Sequence, residues 1–504
     1  MAVQMMWAAQ ITVTNTSDDA EEEGSLRWAI EQAKLNSPAE ITFSFKDKGT
    51  KIIQLKDYLL INGASVKIDA SGCPDSIIID GYDTEYGGPI SNGIVLTGDN
   101  NFLELSNITF RNIGNCIYSA TSGENIIINN CELTTVYANG NLQSDYSSFY
   151  RLIISNGEYL FNHSTFSKEF RVQSGNVSVN DCVFSCRVDF ENKDVANVKI
   201  SKCVFSGGDS YVNPSSIIKV ADNKCESIVV SKSLFTGREG SGIISSPKHS
   251  YLIYYSNALS ELYPAPIIDT AYVKNGEIIV NGHLKNSKTA TIELFYSTTL
   301  TSRSVENYLS NYKTTNGKFE FKIPVPTDVP MIRLSASATY DSYTSDFSSY
   351  ILKTSNRFVV TSTEGSENSY EQIGTLRWAC LCAGAEDTIL FDFSPKGKKI
   401  INGDNFISRA AVDGSSYSDT IIIRGNNQSA GGPAGLMCSG PFLKNIVSEG
   451  HYKGIEIKEN CFVQKCVARN NRIGFDCTGS ETIVDNCLSY NNSGSGIVRE
   501  HSSA

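Results

Sequence analysis

Charged residues capable of acid–base or ligand chemistry recur at matching offsets from two phenylalanines. Glu169 and Arg187 each stand three residues after a Phe (Phe166 and Phe184), and Arg171 and Asp189 each stand five after. Asp209 lies near the next recurrence of the same motif. If these phenylalanines hold equivalent places in successive repeats, opposite charges stack on one face. Two readings are then open. One is a surface ladder of ion pairs, each contributing about 0–1 kcal/mol. The other is a saccharide groove in which Arg171 or Arg187 acts as a base beside Asp189 and Asp209, with Glu169 contacting the ligand. Tyr146, Phe149, Tyr150 and Tyr159 are nearby rings of the kind that stack on sugars, although such rings also fill cores. Each carboxylate meets an arginine in this scheme, which leaves no acidic cluster for a metal.

Other chemistries find little support. The chain has 5 His, none paired at ligand spacing. It lacks the metalloprotease, phosphate-cradling, dinucleotide and nucleophile-elbow motifs. Its 14 Cys form neither paired C-x₂-C motifs nor zinc-type Cys/His spacing. Cys131, Cys182 and Cys203 fall at one place in a repeat, with Ser164 and Ser233 as substitutes, and read as a buried ladder of reduced thiols. Cys461 with Cys466, or Cys380 with Cys382, are further candidates for pairing that spacing does not decide.

The elements that would position these groups follow from the repeat. Six segments share a polar residue, a small or apolar one, any residue, and an apolar one: Asn107–Phe110, Asn130–Leu133, His163–Phe166, Asp181–Phe184, Lys202–Phe205 and Lys232–Phe235. Their spacings are 23, 33, 18, 21 and 30 residues. A unit of this length with occasional insertions predicts a stack in which each repeat buries its face against the next. Alternation in Ser178–Phe184 supports strands. The tail repeats more cleanly: Cys466-Val467-Ala468-Arg469-Asn470-Asn471 is followed 21 residues on by Cys487-Leu488-Ser489-Tyr490-Asn491-Asn492. Asn tolerates left-handed backbone, and stacked Asn side chains can hydrogen-bond along the stack. This C-x-x-x-N-N rung resembles the pectate-lyase-like right-handed parallel β-helix superfamily. Lyases of that fold use carboxylates that hold calcium beside a basic residue that removes a proton next to a uronate. Calcium is thus the cofactor to consider, and no residue cluster here points to it.

Gly24-Ser25-Leu26-Arg27-Trp28-Ala29 reappears as Gly374-Thr375-Leu376-Arg377-Trp378-Ala379. Ser25 and Thr375 suit a helix N-cap, and Leu26, Ile30 and Ala33 make one apolar stripe. A short amphipathic helix here would cover the open end of a strand stack. The likeness extends through Asp75–Gly81 and Asp419–Gly425, and through Gly87-Gly88-Pro89 and Gly431-Gly432-Pro433. The opening around V-T-N-T, G-S-L-R-W-A-I and I-x-F resembles that of large secreted or surface-anchored bacterial β-helix proteins. Those are mostly adhesins or surface proteins of uncharacterised role, with some polysaccharide-degrading relatives.

Between the copies, Glu277–Leu284, Thr289–Tyr296, Lys318–Ile323 and Met331–Thr339 alternate as strands of a small sandwich, with a hairpin turn at Asn316-Gly317. The segment Ser337–Ser348 resembles the end of immunoglobulin-like modules of bacterial surface proteins, with Tyr340 inserted and Tyr343 where a small residue is usual. A spacer or a carbohydrate-binding module are its two readings.

The expected architecture is all-β: two right-handed parallel β-helices, the second incomplete, each with a helical cap and separated by an immunoglobulin-like sandwich. The expected divisions are residues 1–10 as a start or signal remnant, 11–262, 263–354 and 355–504. A net charge of −11 without a Lys/Arg run disfavours nucleic acid. No apolar stretch approaches a membrane-spanning length. The resemblances imply a bacterial secreted or cell-surface protein whose partner is a glycan or a host-surface ligand, acting as an adhesin or carbohydrate-binding scaffold. A polysaccharide lyase or glycoside hydrolase in the first repeat region is the alternative. Ser495–Arg499 falls in mid-repeat, so the chain is expected to be part of a longer one.

Overall fold

A computed structural model describes residues 9–83, 87–206, 216–220, 227–236, 251–254, 263–286, 288–298, 305–326, 329–341, 343–366, 372–427, 432–458, 460–479 and 481–499. Apart from two short helices and a 3₁₀ turn at Gly414–Ser416, these residues are strands and their connections. None of the helices is long and apolar enough to cross a membrane.

The strands from Ala9–Val13 to Tyr251–Tyr254 form one network of 23, parallel throughout except where Tyr82–Asp83 folds back on Gly88–Thr97. Each strand pairs with one a repeat later: Ala9–Val13 with Ala39–Phe43, that with Ser65–Asp69, and that with Phe102–Ser106. Long strands serve several such columns. Glu132–Asp145 pairs successively with Ile108–Arg111, Ile113–Ser119 and Glu124–Asn129, so it bends between them. At one bend the backbones of Gly140, Gly157 and Gly175 pack so closely that a Cβ on Gly157 would lie 1.9 Å from the Gly140 carbonyl oxygen.

The recurrent motif sits at another bend. Its first residues, Asn107, Asn130, Tyr146, His163, Asp181, Lys202 and Lys232, are all left-handed, with φ between 48° and 60°. Such backbone is unusual for residues other than glycine, and Asn and Asp tolerate it best. The second residues form a buried ladder. Cys131 N–H donates to Ser147 Oγ (3.1 Å), Ser147 N–H to Ser164 Oγ (3.3 Å), Ser164 N–H to Cys182 Sγ (3.3 Å) and Cys203 N–H to Ser233 Oγ (3.2 Å). The fourth residues make a phenylalanine stack, with Phe149, Phe166, Phe184, Phe205 and Phe235 spaced 4.7–5.4 Å apart. The 33-residue spacing in the sequence therefore conceals a whole repeat, Tyr146-Ser147-Ser148-Phe149, and not an inserted loop. Every described Cys is a free thiol, including Cys380, Cys382, Cys461 and Cys466.

Helix α1 (Leu26–Leu35) covers the start of this network, with Ser25 Oγ accepting the Trp28 N–H at 3.0 Å and Leu26, Ala29, Ile30 and Ala33 buried. Helix α2 (Leu376–Cys382) repeats the arrangement through Thr375 and Trp378. It covers three parallel sheets of 6, 5 and 5 strands, which the chain visits in rotation from Phe406–Ser408 onward. Between them lie two antiparallel sheets of 3 and 4 strands, spanning Ile267–Lys274 to Ser348–Lys353, with their own apolar core.

The antiparallel unit does more than separate. Phe295, Val305 and Phe347 belong to the first network's core, and Phe347 meets the last ring of the phenylalanine stack edge-on, 5.4 Å from Phe235. Thr344 N–H donates to the Ile228 carbonyl (2.8 Å), and Val230 N–H donates to Thr344 Oγ1 (2.9 Å). It thus covers the far end of the first stack, as α1 covers the near end.

Candidate functional site: an arginine and tyrosine strip

The site is built on one column of the first network. Ile94, Ile117, Val136, Leu152, Phe170, Val188 and Ile218 are register neighbours and fully buried. Side chains alternate across a strand, so the residues flanking this column face outward. On one side the column reads Val95, Tyr118, Tyr137, Ile153, Arg171 and Asp189, and on the other Thr135, Arg151 and Glu169 follow in register. At a strand spacing of ~4.8 Å, tyrosines give way to arginines over a few strands.

Glu169 takes two arginines: Arg151 Nε lies 2.8 Å from Oε2 and Arg171 Nη2 lies 2.5 Å from Oε1. Arg187 Nε donates to Asp189 Oδ2 at 2.9 Å. Asp189 Oδ1 is as near to that nitrogen (2.8 Å) yet receives no hydrogen bond, because it lies off the N–H axis. The carboxylates are mostly covered while the arginines remain 35–42% exposed at the side chain. Alongside, Tyr118 meets Tyr137 edge to face at 6.1 Å, and Lys168 Nζ sits 5.5 Å over the Tyr150 ring. Among the described side chains, four cations (Arg151, Lys168, Arg171, Arg187) thus face two anions on a chain whose overall charge is −11. Near the start of this face, Lys56, Asp57, Tyr58 and Gly88–Asn92 line a cleft of about 320 Å³.

Arg171 and Asp189 are register partners, and Glu169, Arg171, Arg187 and Asp189 come together on one surface. Their closest contacts run along each strand, between residues two apart, rather than only across strands as offsets from the phenylalanines suggest. Tyr150 adjoins the group. Tyr146 does not: it occupies the left-handed bend, where its ring stacks on His163 at 4.5 Å, and His163 Nδ1 contacts Asp145 at 2.8 Å. Tyr159 is corrected from surface ring to core residue. It is 2% exposed, its hydroxyl has no partner, and burial pushes its phenol well above the usual range. Phe149 is likewise core, within the phenylalanine stack. Asp209 lies outside the described residues. Arg151, Lys168, Tyr118 and Tyr137 were not singled out in the sequence. A register shift between Phe149 and Arg151 puts Arg151 one position earlier than its repeat predicts, which hides it from offset counting. Among the described residues, no group of three His, Cys, Asp or Glu is placed to hold a metal.

No family model matches the chain, and no curated protein matches it. Among solved structures, a weak similarity is found to the chitinase ChiW of Paenibacillus sp. FPU-7, described as a cell-surface-expressed multi-modular enzyme. It has 9% identity, a TM-score of 0.16, and coverage of 76% of this chain and 26% of that one. The chain therefore spans about a quarter of that protein's length.

Proposed function

We propose that the two parallel stacks are right-handed parallel β-helices of the pectate-lyase-like kind, that the antiparallel unit is an immunoglobulin-like module, and that the protein is a bacterial extracellular or cell-surface scaffold that binds glycan on the first stack. The observation that carries the binding reading is the outward strip of Tyr118, Tyr137, Tyr150, Arg151, Arg171 and Arg187. Exposed rings offer faces on which sugar C–H groups pack, and arginines present forked donors to hydroxyls or acidic groups. The carboxylates hold those forks in place, so little side-chain freedom remains to be lost when a ligand arrives.

A lyase would need carboxylates available to a cation. Glu169 and Asp189 are each engaged by arginine instead, which favours a binder over an enzyme. The test is a glycan array run beside an ultraviolet assay for unsaturated uronate products. A bound glycan whose affinity drops about tenfold in Tyr118→Ala and in Arg187→Gln supports the reading. Unsaturated product from any polyuronate sinks the binder-only reading, and an array without any bound glycan sinks the site.

A further inference from the structure

Thiols meet in pairs where cysteines occupy equivalent places on neighbouring strands. Cys466 and Cys487 directly precede Val467–Arg469 and Leu488–Tyr490, which pair in register from Val467 and Leu488 onward. Register neighbours in a sheet are ~4.8 Å apart, within the Cα separation of roughly 4.4–6.8 Å that a disulfide spans. Cys466 N–H donates to Cys487 Sγ at 3.4 Å. Cys466 is buried, whereas Cys487 is only partly so. Cys182 and Cys203 share this placement through Val183 and Val204, but both are buried.

We propose that Cys466 and Cys487 form a thiol–disulfide exchange site, which closes into a covalent link between successive strands on reaction with a small-molecule disulfide. The Cys487 thiolate attacks one sulfur of that disulfide, forming a mixed disulfide and expelling one small thiolate, which takes up a proton. The Cys466 sulfur, losing its proton to solvent, then attacks Cys487 Sγ and expels the second small thiol. Two protein thiols are oxidised and one disulfide is reduced to two thiols, so electrons and protons balance. The adjoining Cys466, whose backbone N–H donates to Cys487 Sγ, outweighs burial and holds the Cys487 thiol down at about 7, which supplies thiolate at neutral pH. The enclosed Cys182–Cys203 pair serves as the internal comparison.

The test treats the folded, reduced full chain with oxidised glutathione and maps thiols by peptide mass spectrometry. The expected product is a Cys466–Cys487 linked peptide without retained glutathione, while Cys182 and Cys203 stay reduced. Cys466→Ser should trap glutathione on Cys487, because the resolving sulfur is gone, and Cys487→Ser should leave Cys466 unmodified. A wild-type chain that keeps glutathione on Cys487, or stays fully reduced, overturns the proposal. So does equal linkage of Cys182 with Cys203, which would assign the chemistry to unfolded chain.

Discussion

The two parallel stacks share a brace and differ in what surrounds it. In the first, Glu169 is gripped by Arg151 and Arg171. In the second, Glu449 is gripped by Arg424 at 2.5 Å and Arg469 at 2.9 Å, on three strands in register. An Arg–Glu–Arg brace therefore recurs, along one strand and across to the next in the first stack and across three strands in the second, and it is not by itself a binding site. The first stack adds Tyr118, Tyr137, Tyr150, Lys168 and Arg187 around the brace. Among the described residues, the second adds Tyr490, whose hydroxyl accepts from Arg469 Nη1 at 3.1 Å. The interiors differ as well. The first is organised around stacked phenylalanine rings. The second buries Phe358, Trp378, Phe391 and Phe475 without a comparable ring stack among its described residues, and carries an amide ladder in which His451 N–H donates to Asn471 Oδ1 and Asn471 N–H to Asn492 Oδ1, both at 3.0 Å.

The sharpest way to break that comparison is to hollow out one interior. Phe184 is fully buried between Phe166 (4.7 Å) and Phe205 (4.8 Å). Phe184→Ala should destabilise the first stack by about 3–5 kcal/mol, since rings stacked on both sides cannot close around the cavity. Hydrogen exchange followed by mass spectrometry should show strands Thr165–Asn180 and Val188–Ser201 losing protection while Val467–Arg469 keeps it. Equal loss in both regions would mean that the stacks unfold as one unit.

This contrast was only partly legible in the sequence. The caps were readable because Ser25 and Thr375 precede matching apolar stripes, and the structure places both as N-caps. The phenylalanine stack was readable where a polar residue and a Cys or Ser announced it. It was lost at Tyr146-Ser147-Ser148-Phe149, because Tyr in a left-handed bend carries no compositional signal for one. The strip was half visible. Its carboxylates and two arginines follow from offsets, but Arg151 falls beyond a register shift, and Tyr118 and Tyr137 lie on strands preceding the clearest repeats. Nor does alternation reveal that the antiparallel unit closes the first stack. The contacts of Thr344 and Phe347 with Ile228, Val230 and Phe235 join residues more than a hundred positions apart.

The amide ladders give a second, smaller contrast. Asn471 is fully buried, accepts from His451 N–H and donates to the Ser448 carbonyl at 3.1 Å. Asn471→Ala leaves the buried His451 N–H without its partner and removes a second bond to the Ser448 carbonyl, and should cost about 1–3 kcal/mol. In the first stack, Asn141 donates to Asn125 Oδ1 at 2.9 Å on an exposed edge. Asn141→Ala should change stability by no more than about 0.5 kcal/mol, since water replaces the lost partner. Thermal denaturation of the two variants against wild type measures the difference. Comparable losses would show that the first stack depends on its amides as much as the second.

Two carboxylates on the two stacks should respond to acid with opposite signs. Burial pushes Glu449 up, but hydrogen bonds from Arg424 and Arg469 outweigh it and hold the group below the ordinary value of 4.5. Its contribution is present above the unfolded-chain value and is lost as pH falls through the folded one. Glu104 is raised: burial dominates, and Asp69 and Glu40 add to it against the pull of Lys67. A raised carboxyl favours the folded state in acid, and that advantage disappears as pH rises through its folded value. Glu449→Gln should therefore be less stable than wild type at pH 7, with the gap narrowing toward pH 4. Glu104→Gln should lose least, or gain, at pH 7, and its difference from wild type should shift against the variant as acid protonates the native Glu104. Hydrogen exchange over Ile446–His451 and Phe102–Ser106 at the two pH values reads each site separately. If both gaps moved in the same direction, the opposite environments assigned to these two carboxylates would be wrong.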